Sequence, residues 1–329
     1  MTIDLNKSPL YQYLLENRKD LNLRVKEHPW PKLYKNFQCF DYSVSLSWNG
    51  NSATGRGTDE NEAVAFLKAG GEALERWGQK DYALQSSSGL AVHTNIQQAL
   101  ENSQNELIER DAFYYHFLSS DPFLITSETQ SFSVTYKSLI NNLNKLGVEL
   151  FIVELQSAIR KNRTVLVSAV GYNTLNSFGL VLGLASHLSF EKAAKQAMTE
   201  CLRNLSPHLF NLEKEDRPSR ENKKLNFQRG RINYLCAQQK GYGSFFKKKF
   251  LSSFSTLYKR KNISEKLFNS SFYDLRLPFS SKIKLARSQS KVLYKHYYGD
   301  LGLADKDFIF NKLNVEKSFV NNLVCSPLA

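Results

Sequence analysis

Three stretches of the sequence follow the order strand, turn and helix, and this repetition most limits the folds available to the chain. In the first stretch, residues 42–48 alternate apolar and polar side chains as a half-buried strand does. The Asn-Gly pair that begins at Asn49 predicts a tight hairpin. Asp59 and Glu62, three residues apart, predict a capping box for a helix that runs to about Trp77.

The second and third stretches repeat this order. The second leads from a Ser/Gly turn through Thr94 and Asn95, a good N-cap, to a helix over 96–118. The third has a strand over 178–183, Ser189 as a cap and a helix over 190–204 that Pro207 is expected to end. Further strands are predicted at 149–154 and 164–170, and further helices at 10–17 and 136–146. These patterns predict an α/β (α+β) fold, in which mixed sheets and packed helices are built from repeated strand–turn–helix units.

Composition and cysteine usage exclude several classes of protein. The first ten residues lack the apolar segment of a secretory signal, and the longest apolar run, 178–185, is too short to cross a bilayer. We therefore expect a cytoplasmic chain with no membrane partner. The four cysteines are scattered without a C-x-x-C pair and no H-E-x-x-H spacing occurs, so reduced thiols are expected and a zinc site is not.

A basic, aromatic-rich stretch lies in the last third of the chain. Residues 211–262 contain 14 Lys or Arg against 4 Asp or Glu, and the chain as a whole carries +13. Basic residues among aromatics can bind single-stranded nucleic acid, attract an acidic peptide or partner protein, or keep a loop-rich region solvated. The nucleic-acid interpretation is the weakest, because no RRM, KH or helix-turn-helix pattern accompanies the charge.

Two predicted helices share the pattern E-x-x-E-R, which contains the residues Glu72, Glu75 and Arg76 and the residues Glu106, Glu109 and Arg110. Carboxylates three residues apart share one helical face, and the arginine four residues after the first glutamate lies on that face too. If the two helices faced each other, four carboxylates would converge and would require cations or shifted pKa values. Hard oxygen ligands of this kind suit Mg²⁺. Ordinary surface ion pairs, worth a few tenths of a kcal/mol, remain the alternative.

The segments around these helices resemble the three signatures of the YcaO family. The first has Thr-Gly-Arg-Gly at 54–57 and Glu-Ala-Leu-Glu-Arg at 72–76. The second has Ser-Gly-Leu-Ala at 88–91 and Glu-Leu-Ile-Glu-Arg-Asp-Ala at 106–112. The third has Gly-Leu-Ala-Ser-His-Leu at 183–188 and Ala-Met-Thr-Glu at 197–200. The resemblance implies an ATP site without a P-loop, in which helix carboxylates hold Mg²⁺ around the triphosphate.

Carried over by position, the resemblance assigns two sets of site residues. The metal ligands would be Glu72, Glu75, Glu106 and Glu109. The nucleotide-binding residues would be Arg56, Arg76, Arg110, Gln98, Gln196 and Glu200. Two points about the first signature stay open. Arg56 could contact a phosphate or could simply be a surface residue of a turn. Gly55 and Gly57 could let the backbone approach the nucleotide closely. No catalytic base is assigned.

The chain departs from the family pattern at several positions. Lys68 stands where a serine is usual, Gln97 and Gln98 replace a polar and often acidic pair, and Gln196 replaces an arginine. The carboxyl end, 324–329, lacks the proline-rich tail of many ring-forming members, which weakens the cyclodehydratase assignment in particular.

The resemblance implies activation of a peptide backbone amide by phosphorylation. The first choice is cyclodehydration of Cys, Ser or Thr in a ribosomally made precursor peptide to azolines, with ATP-dependent thioamide formation as the alternative. A degenerate scaffold that binds a peptide or partner without turnover is the third reading. About fifty residues precede the first signature, too few for the leader-binding domain, so a separate E1-like partner protein is expected. Homo-oligomerisation stays open. The predicted division is an N-terminal segment 1–50, a core 51–210 and a C-terminal part 211–329 of the same catalytic unit.

Overall fold

The computed structural model describes residues 8–34, 36–84, 88–119, 123–159, 161–171, 179–210, 243, 246–248, 268–274, 283–291 and 293. Backbone contacts divide the chain into two compact units, the first formed by Met1–Leu107 with Ser264–Leu293 and the second by Ile108–Ile263 with Tyr294–Ala329. Most of the basic stretch and the carboxyl end lie outside the described residues. The three-part division expected from the sequence stays a prediction.

The first unit contains two antiparallel sheets. The first sheet has the order β1-β2-β3 and the second the order β4-β9-β8. The strands are β1 (Arg24–Glu27), β2 (Phe40–Trp48), β3 (Asn51–Asp59), β4 (Leu90–His93), β8 (Phe268–Asp274) and β9 (Lys284–Ser290). The helices are α1 (Pro9–Glu16), α2 (Glu62–Asp81) and the first half of α3 (Ile96–Ser119), which continues into the second unit.

Local signals explain most of these boundaries. Asn49 and Gly50 have positive φ angles of 48° and 79°, which is the backbone that a two-residue hairpin needs, and Trp48 pairs with Asn51 across it. The predicted hairpin is therefore confirmed. Asn95 caps α3 as predicted, because its side chain accepts hydrogen bonds from the N–H groups of residues 97 and 98.

The predicted cap of α2 is wrong by two residues. The N-cap is Asn61, whose side chain accepts a hydrogen bond from the Val64 N–H. Asp59 instead accepts from the Asn61 N–H and forms an ion pair with Lys68. Glu62 does not close a capping box, because its carboxylate accepts from the Tyr42 hydroxyl. The Asp and Asn side chains compete for the same start of the helix, and the nearer one caps it.

The second unit contains one antiparallel sheet of order β5-β6-β7. Its strands are β5 (Val148–Leu155), β6 (Arg163–Gly171) and β7 (Leu180–His187), and its helices are α4 (Ser127–Thr135), α5 (Lys137–Lys145) and α6 (Phe190–Phe210), with the second half of α3. The expectation that Pro207 ends α6 is wrong, because the helix continues through it to Phe210. Pro207 lies in the last turn and removes only one backbone hydrogen bond, while Leu205 and Leu209 are buried and hold that turn.

The sheet of the second unit is covered on both faces. Helix α6 packs on β6 and β7. An aromatic core that includes Phe113, Phe117 and Phe123 packs with Leu166 and Leu182. Both units thus combine antiparallel sheets with packed helices, and the predicted mixed α/β class is confirmed. None of the described helices is both long and apolar enough to cross a membrane.

Candidate active site

Three glycines let the helices α2 and α6 lie directly against the strands β3 and β7. A Cβ atom at Gly55 in β3 would lie 2.2 Å from the Ala69 carbonyl oxygen of α2, and a Cβ atom at Gly183 in β7 would lie 2.0 Å from the Ala197 carbonyl oxygen of α6. No side chain fits between strand and helix at these positions. Gly57 makes the same approach, at 2.1 Å from the Ala65 carbonyl oxygen. Close helix packing therefore accounts for these glycines without a nucleotide.

The close approach lets α2 side chains bind the free edge of β3. The Glu72 Oε2 accepts from the Arg56 N–H at 2.6 Å, and one turn later the Arg76 guanidinium donates to the Thr54 carbonyl at 2.6 Å. The Lys80 ammonium donates to the next outward-facing carbonyl, at Ser52. Because β3 is an edge strand, these side chains satisfy groups that a neighbouring strand would otherwise bind.

Helix α6 binds the edge of β7 in the same way. The Glu200 Oε2 accepts from the Leu184 N–H at 2.9 Å, and Asn204 donates to the Leu182 carbonyl at 3.1 Å. Glu200 and Asn204 are four residues apart, as Glu72 and Arg76 are. Helices α2 and α6 therefore repeat one arrangement, in which the first signature glutamate accepts a hydrogen bond from the strand that precedes its helix.

Two glutamates, which we call the β4 pair, meet on the edge of β4. Glu106 of α3 accepts from the Gly89 N–H at 2.8 Å, and Glu75 of α2 accepts from the Val92 N–H at 2.9 Å. Thus the first glutamate of one helix and the second glutamate of the preceding helix hold the same strand. The β4 pair lies wholly within the first unit.

Two more glutamates, which we call the β7 pair, repeat this on the edge of β7. Glu200 accepts from Leu184 as described, and Glu109 of α3 accepts from the Ser186 N–H at 2.8 Å. The β7 pair lies wholly within the second unit. Three of the four carboxylates are oriented by a backbone N–H of an edge strand, and that of Glu106 is oriented by the N–H of Gly89, which directly precedes β4.

The β4 pair is electrostatically strained. Burial, together with the negative charges of Glu106 and Glu72, raises the pKa of Glu75 to about 8, although the hydrogen bond from the Val92 N–H acts in the opposite direction. A carboxylate in this environment gains from any cation placed beside it. The β4 pair therefore has the charge and the donor atoms of a cation site.

Comparison with protein families decides the identity of this arrangement. A family model described as "YcaO cyclodehydratase, ATP- and Mg2+-binding" matches residues 74–268, well over half of the chain. The chain belongs to the YcaO family. The predicted family is confirmed, and ATP and Mg²⁺ are the cofactors of this family. A search of curated protein sequences finds no match to the chain.

Solved structures share the fold at low sequence identity. YcaO from Methanopyrus kandleri, solved with AMPPCP and Mg²⁺, is 12% identical with a TM-score of 0.54 over 89% of this chain and 93% of its own. The E. coli microcin synthetase McbBCD complex is 14% identical with a TM-score of 0.57 over 91% and 95%. A heterocyclase in complex with substrate and cofactor is 11% identical with a TM-score of 0.64 over 97% of this chain and 57% of its own. These likenesses show the YcaO fold.

The donor chemistry of both pairs fits Mg²⁺. The described part of the chain has no group of three His, Cys, Asp or Glu side chains that could hold a metal by itself. Mg²⁺ does not require such a cage, because it usually takes one or two carboxylates and completes its octahedron with waters and substrate phosphates. A pair of oriented carboxylates meets this need, whereas it would be a poor site for zinc.

Glu72 differs from the other YcaO signature glutamates. Its Oε2 binds the Arg56 N–H, and its Oε1 forms an ion pair with Arg76 at 2.6 Å. Arg76 in turn holds both Glu72 and β3. These contacts tie α2 to β3, and the sequence-based roles of Glu72 at a metal and of Arg76 at a phosphate stay predictions.

Arg56 has a partner that the sequence did not suggest. Its guanidinium forms two hydrogen bonds, of 3.0 and 2.5 Å, to the carboxylate of Asp41, whose side chain is fully buried. Thr58 donates a third bond to the same carboxylate at 3.0 Å. The interpretation of Arg56 as a turn residue is wrong, because it lies within β3 and neutralises a buried charge.

We predict that Arg56→Gln destabilises the fold by about 3 kcal/mol, because it leaves the Asp41 carboxylate buried without a counter-ion. Urea unfolding measures this loss. Arg56→Gln combined with Asp41→Asn is the matched control and is expected to recover part of the stability. If unfolding were unchanged and only ATP binding fell, Arg56 would serve the nucleotide and not the fold.

The other predicted nucleotide residues are more dispersed. Gln98 is exposed in the first turn of α3, about 12 Å along the helix axis from Glu106. Gln196 is exposed on α6, one turn before Glu200, and Arg110 is half-buried on α3, one turn after Glu106. The structure thus places Arg110 and Gln196 beside signature glutamates and separates Gln98 from them.

His93 and His187 occupy equivalent corners between strand and helix. The Nδ1 of His93 accepts from the Asn95 N–H and that of His187 accepts from the Ser189 N–H, each at 2.9 Å. Burial lowers the pKa of both imidazoles. These contacts are those of structural histidines that shape the start of a helix, and they fix the proton on Nε2 in each.

Sequence reasoning missed the role of Asn204. The signal was present, because Asn204 follows Glu200 by the same four residues that separate Arg76 from Glu72. Alignment of the third helix with the first two would have revealed it.

Proposed function

We propose that this YcaO protein uses ATP and Mg²⁺ to phosphorylate a backbone amide of a ribosomally made precursor peptide, and that it cyclises the adjacent Cys, Ser or Thr to an azoline. The observation that carries the proposal is the presence of two carboxylate pairs, each oriented by backbone N–H groups in or directly before an edge strand. Phosphoryl transfer is catalysed mainly by positioning and charge neutralisation, which such pairs can provide when they hold Mg²⁺.

The overall chemistry is balanced by one ATP for each ring. When bound, ATP supplies the phosphoryl group that makes the amide oxygen a leaving group, and Mg²⁺ neutralises the phosphate charge. The side-chain sulfur or oxygen bonds to the amide carbon, and the amide C–O bond breaks as phosphate leaves. ADP is released, and of the two protons lost by the peptide one leaves with phosphate and one goes to solvent.

The residues of the chain have two tasks in this proposal. Glu75 with Glu106, and Glu109 with Glu200, hold Mg²⁺ together with its waters and the phosphates. The strand N–H groups keep these carboxylates in place before the nucleotide binds, so little reorganisation is needed. Glu72 and Arg76 keep α2 against β3 and thereby hold Glu75 at the edge of β4.

The proposed partners are the precursor peptide and an E1-like protein that recruits it in the cytoplasm. The likeness to a subunit of the microcin synthetase complex supports an assembly of this kind. Residues 247–249 belong to the basic, aromatic-rich stretch that could attract an acidic peptide or a partner protein. Lys247 forms an ion pair with Glu149 at 2.8 Å and lies 5.4 Å from the ring of Phe151, so it serves packing, while Lys248 is exposed. Lys249 lies outside the described residues.

We predict that the chain, with its partner protein, ATP and Mg²⁺, removes one water from the precursor peptide for each ADP formed. Mass spectrometry of the peptide and an ADP assay measure the two quantities together. Exchange of one oxygen for sulfur in the presence of a sulfide source would replace ring formation by thioamide formation. ATP binding without any change in peptide mass would contradict catalysis and favour the non-catalytic scaffold.

A further inference from the structure

The third signature helix carries a reversed charge at one position. Helices α2 and α3 have the pattern E-x-x-E-R at 72–76 and 106–110, whereas α6 has E-x-x-R-N at 200–204. The structure aligns the first and last positions of these motifs in α2 and α6. In each helix, the first glutamate accepts an N–H of the preceding strand, and the last residue of the motif donates to the carbonyl that lies two residues earlier in that strand. Arg203 therefore occupies the position of Glu75 and Glu109.

This position holds an acceptor in the other two helices. Glu75 accepts an N–H from β4, the strand that follows α2, and Glu109 accepts one from β7, a strand further along the chain than α3. A guanidinium has five donors and no acceptor, so Arg203 cannot make that contact. Its partner has to be an oxygen atom, and an anionic oxygen is the best one.

Among the residues that the structure describes, Arg203 has only weak partners. One terminal nitrogen lies 3.6 Å from Glu200 Oε1, and Nε lies 3.4 Å from Asn204 Oδ1. Charge-assisted hydrogen bonds are usually about 2.7–2.9 Å long, so both contacts are loose. Arg163 in the same unit shows the contrast, because it binds Glu154 through two nitrogens and Glu128 as well. The Arg203 side chain is 22% exposed, which leaves its donors accessible to a ligand.

We propose that Arg203 contacts a phosphate of the nucleotide beside Glu200 of the β7 pair. The inference rests on the proposed function, since it requires that the chain binds ATP. Arginine recognises phosphate with two parallel hydrogen bonds, and a metal and a guanidinium next to each other commonly share a polyphosphate. The charge reversal at Arg203 then gives α6 a phosphate contact where α2 and α3 have a second carboxylate.

The test compares Arg203→Gln with wild type in calorimetric titrations of ATP and of adenosine, both with Mg²⁺. Loss of a charged hydrogen bond to phosphate is expected to weaken ATP binding about tenfold or more, with adenosine binding and the melting temperature unchanged. Arg203→Lys keeps the charge without the paired donors and is expected to give an intermediate loss. Lys192→Gln is the matched control, because it removes one exposed positive charge from the first turn of the same helix and should leave ATP affinity unchanged.

Four outcomes would overturn the assignment. Equal ATP affinity in Arg203→Gln and wild type would show that Arg203 does not contact a phosphate. An equal loss for ATP and adenosine, or an equal loss in Lys192→Gln, would indicate a structural or a diffuse electrostatic effect. If wild type bound no ATP with or without its partner, the proposed function would fail together with this inference, whereas ATP binding that is insensitive to Arg203 would remove the inference alone.

Discussion

Joint substitution of Glu75→Gln and Glu106→Gln is expected to weaken binding of ATP with Mg²⁺ roughly a thousandfold and to abolish turnover. Each glutamine keeps a carbonyl oxygen that can accept from Val92 or Gly89, so the edge of β4 stays bound. What is lost is the negative charge that a divalent cation requires, at about 1.5–3 kcal/mol for each charged contact. Calorimetric titration with ATP and Mg²⁺ measures the affinity, and urea unfolding measures the fold.

Glu101→Gln is the matched control for this pair. Glu101 is exposed on the same helix as Glu106, and its carboxylate contacts Gln97 at 3.3 Å. Its neutralisation is expected to leave ATP affinity and turnover unchanged. Full ATP affinity in the double variant would mean that the β4 pair serves only to hold the strand, and the magnesium site would then have to be sought elsewhere.

Gly183→Ala is expected to lower the free energy of unfolding by about 3 kcal/mol or more. The added Cβ would meet the Ala197 carbonyl oxygen at 2.0 Å and the Cys201 amide nitrogen at 2.3 Å. Both are backbone atoms in the middle of α6, so they can move only if the helix separates from β7. That separation would also draw Glu200 away from the Leu184 N–H. Chemical denaturation of the purified variant measures the loss.

A glycine in α2 supplies the opposite control. A Cβ atom at Gly71 would meet no atom within 4 Å outside its own helix backbone. Because alanine favours a helix over glycine by about 1 kcal/mol, Gly71→Ala should stabilise the protein by up to that amount. Similar losses at Gly71 and Gly183 would contradict the explanation from strand–helix contact.

Local patterns predicted most of the elements, because hairpins and amphipathic strands depend on residues close in sequence. The Asn49 hairpin and the Asn95 cap both followed from such signals. The errors also have local causes: Asn61 caps α2 in place of Asp59, and burial of Leu205 and Leu209 carries α6 past Pro207.

The site was predictable as a list of residues but not as a set of contacts. Repetition of E-x-x-E-R and the family resemblance identified the glutamates. In the structure, Glu75 joins Glu106 at β4, and Glu109 joins Glu200 at β7. These pairings depend on which helix packs beside which strand, and a single sequence does not reveal such long-range contacts. The same applies to Arg56, whose partner Asp41 lies on the neighbouring strand.

The side chains on the edges of β3, β4 and β7 also limit how a peptide can be recognised. Many proteins bind an extended peptide by letting it join a sheet as one more strand, through backbone bonds along an open edge. Here glutamates, arginine, lysine and asparagine already take outward-facing backbone groups of those three edges. A precursor peptide would have to displace charged side chains to pair there. Strand addition is therefore not expected at these three edges, which are also protected from pairing with other copies of the chain during folding.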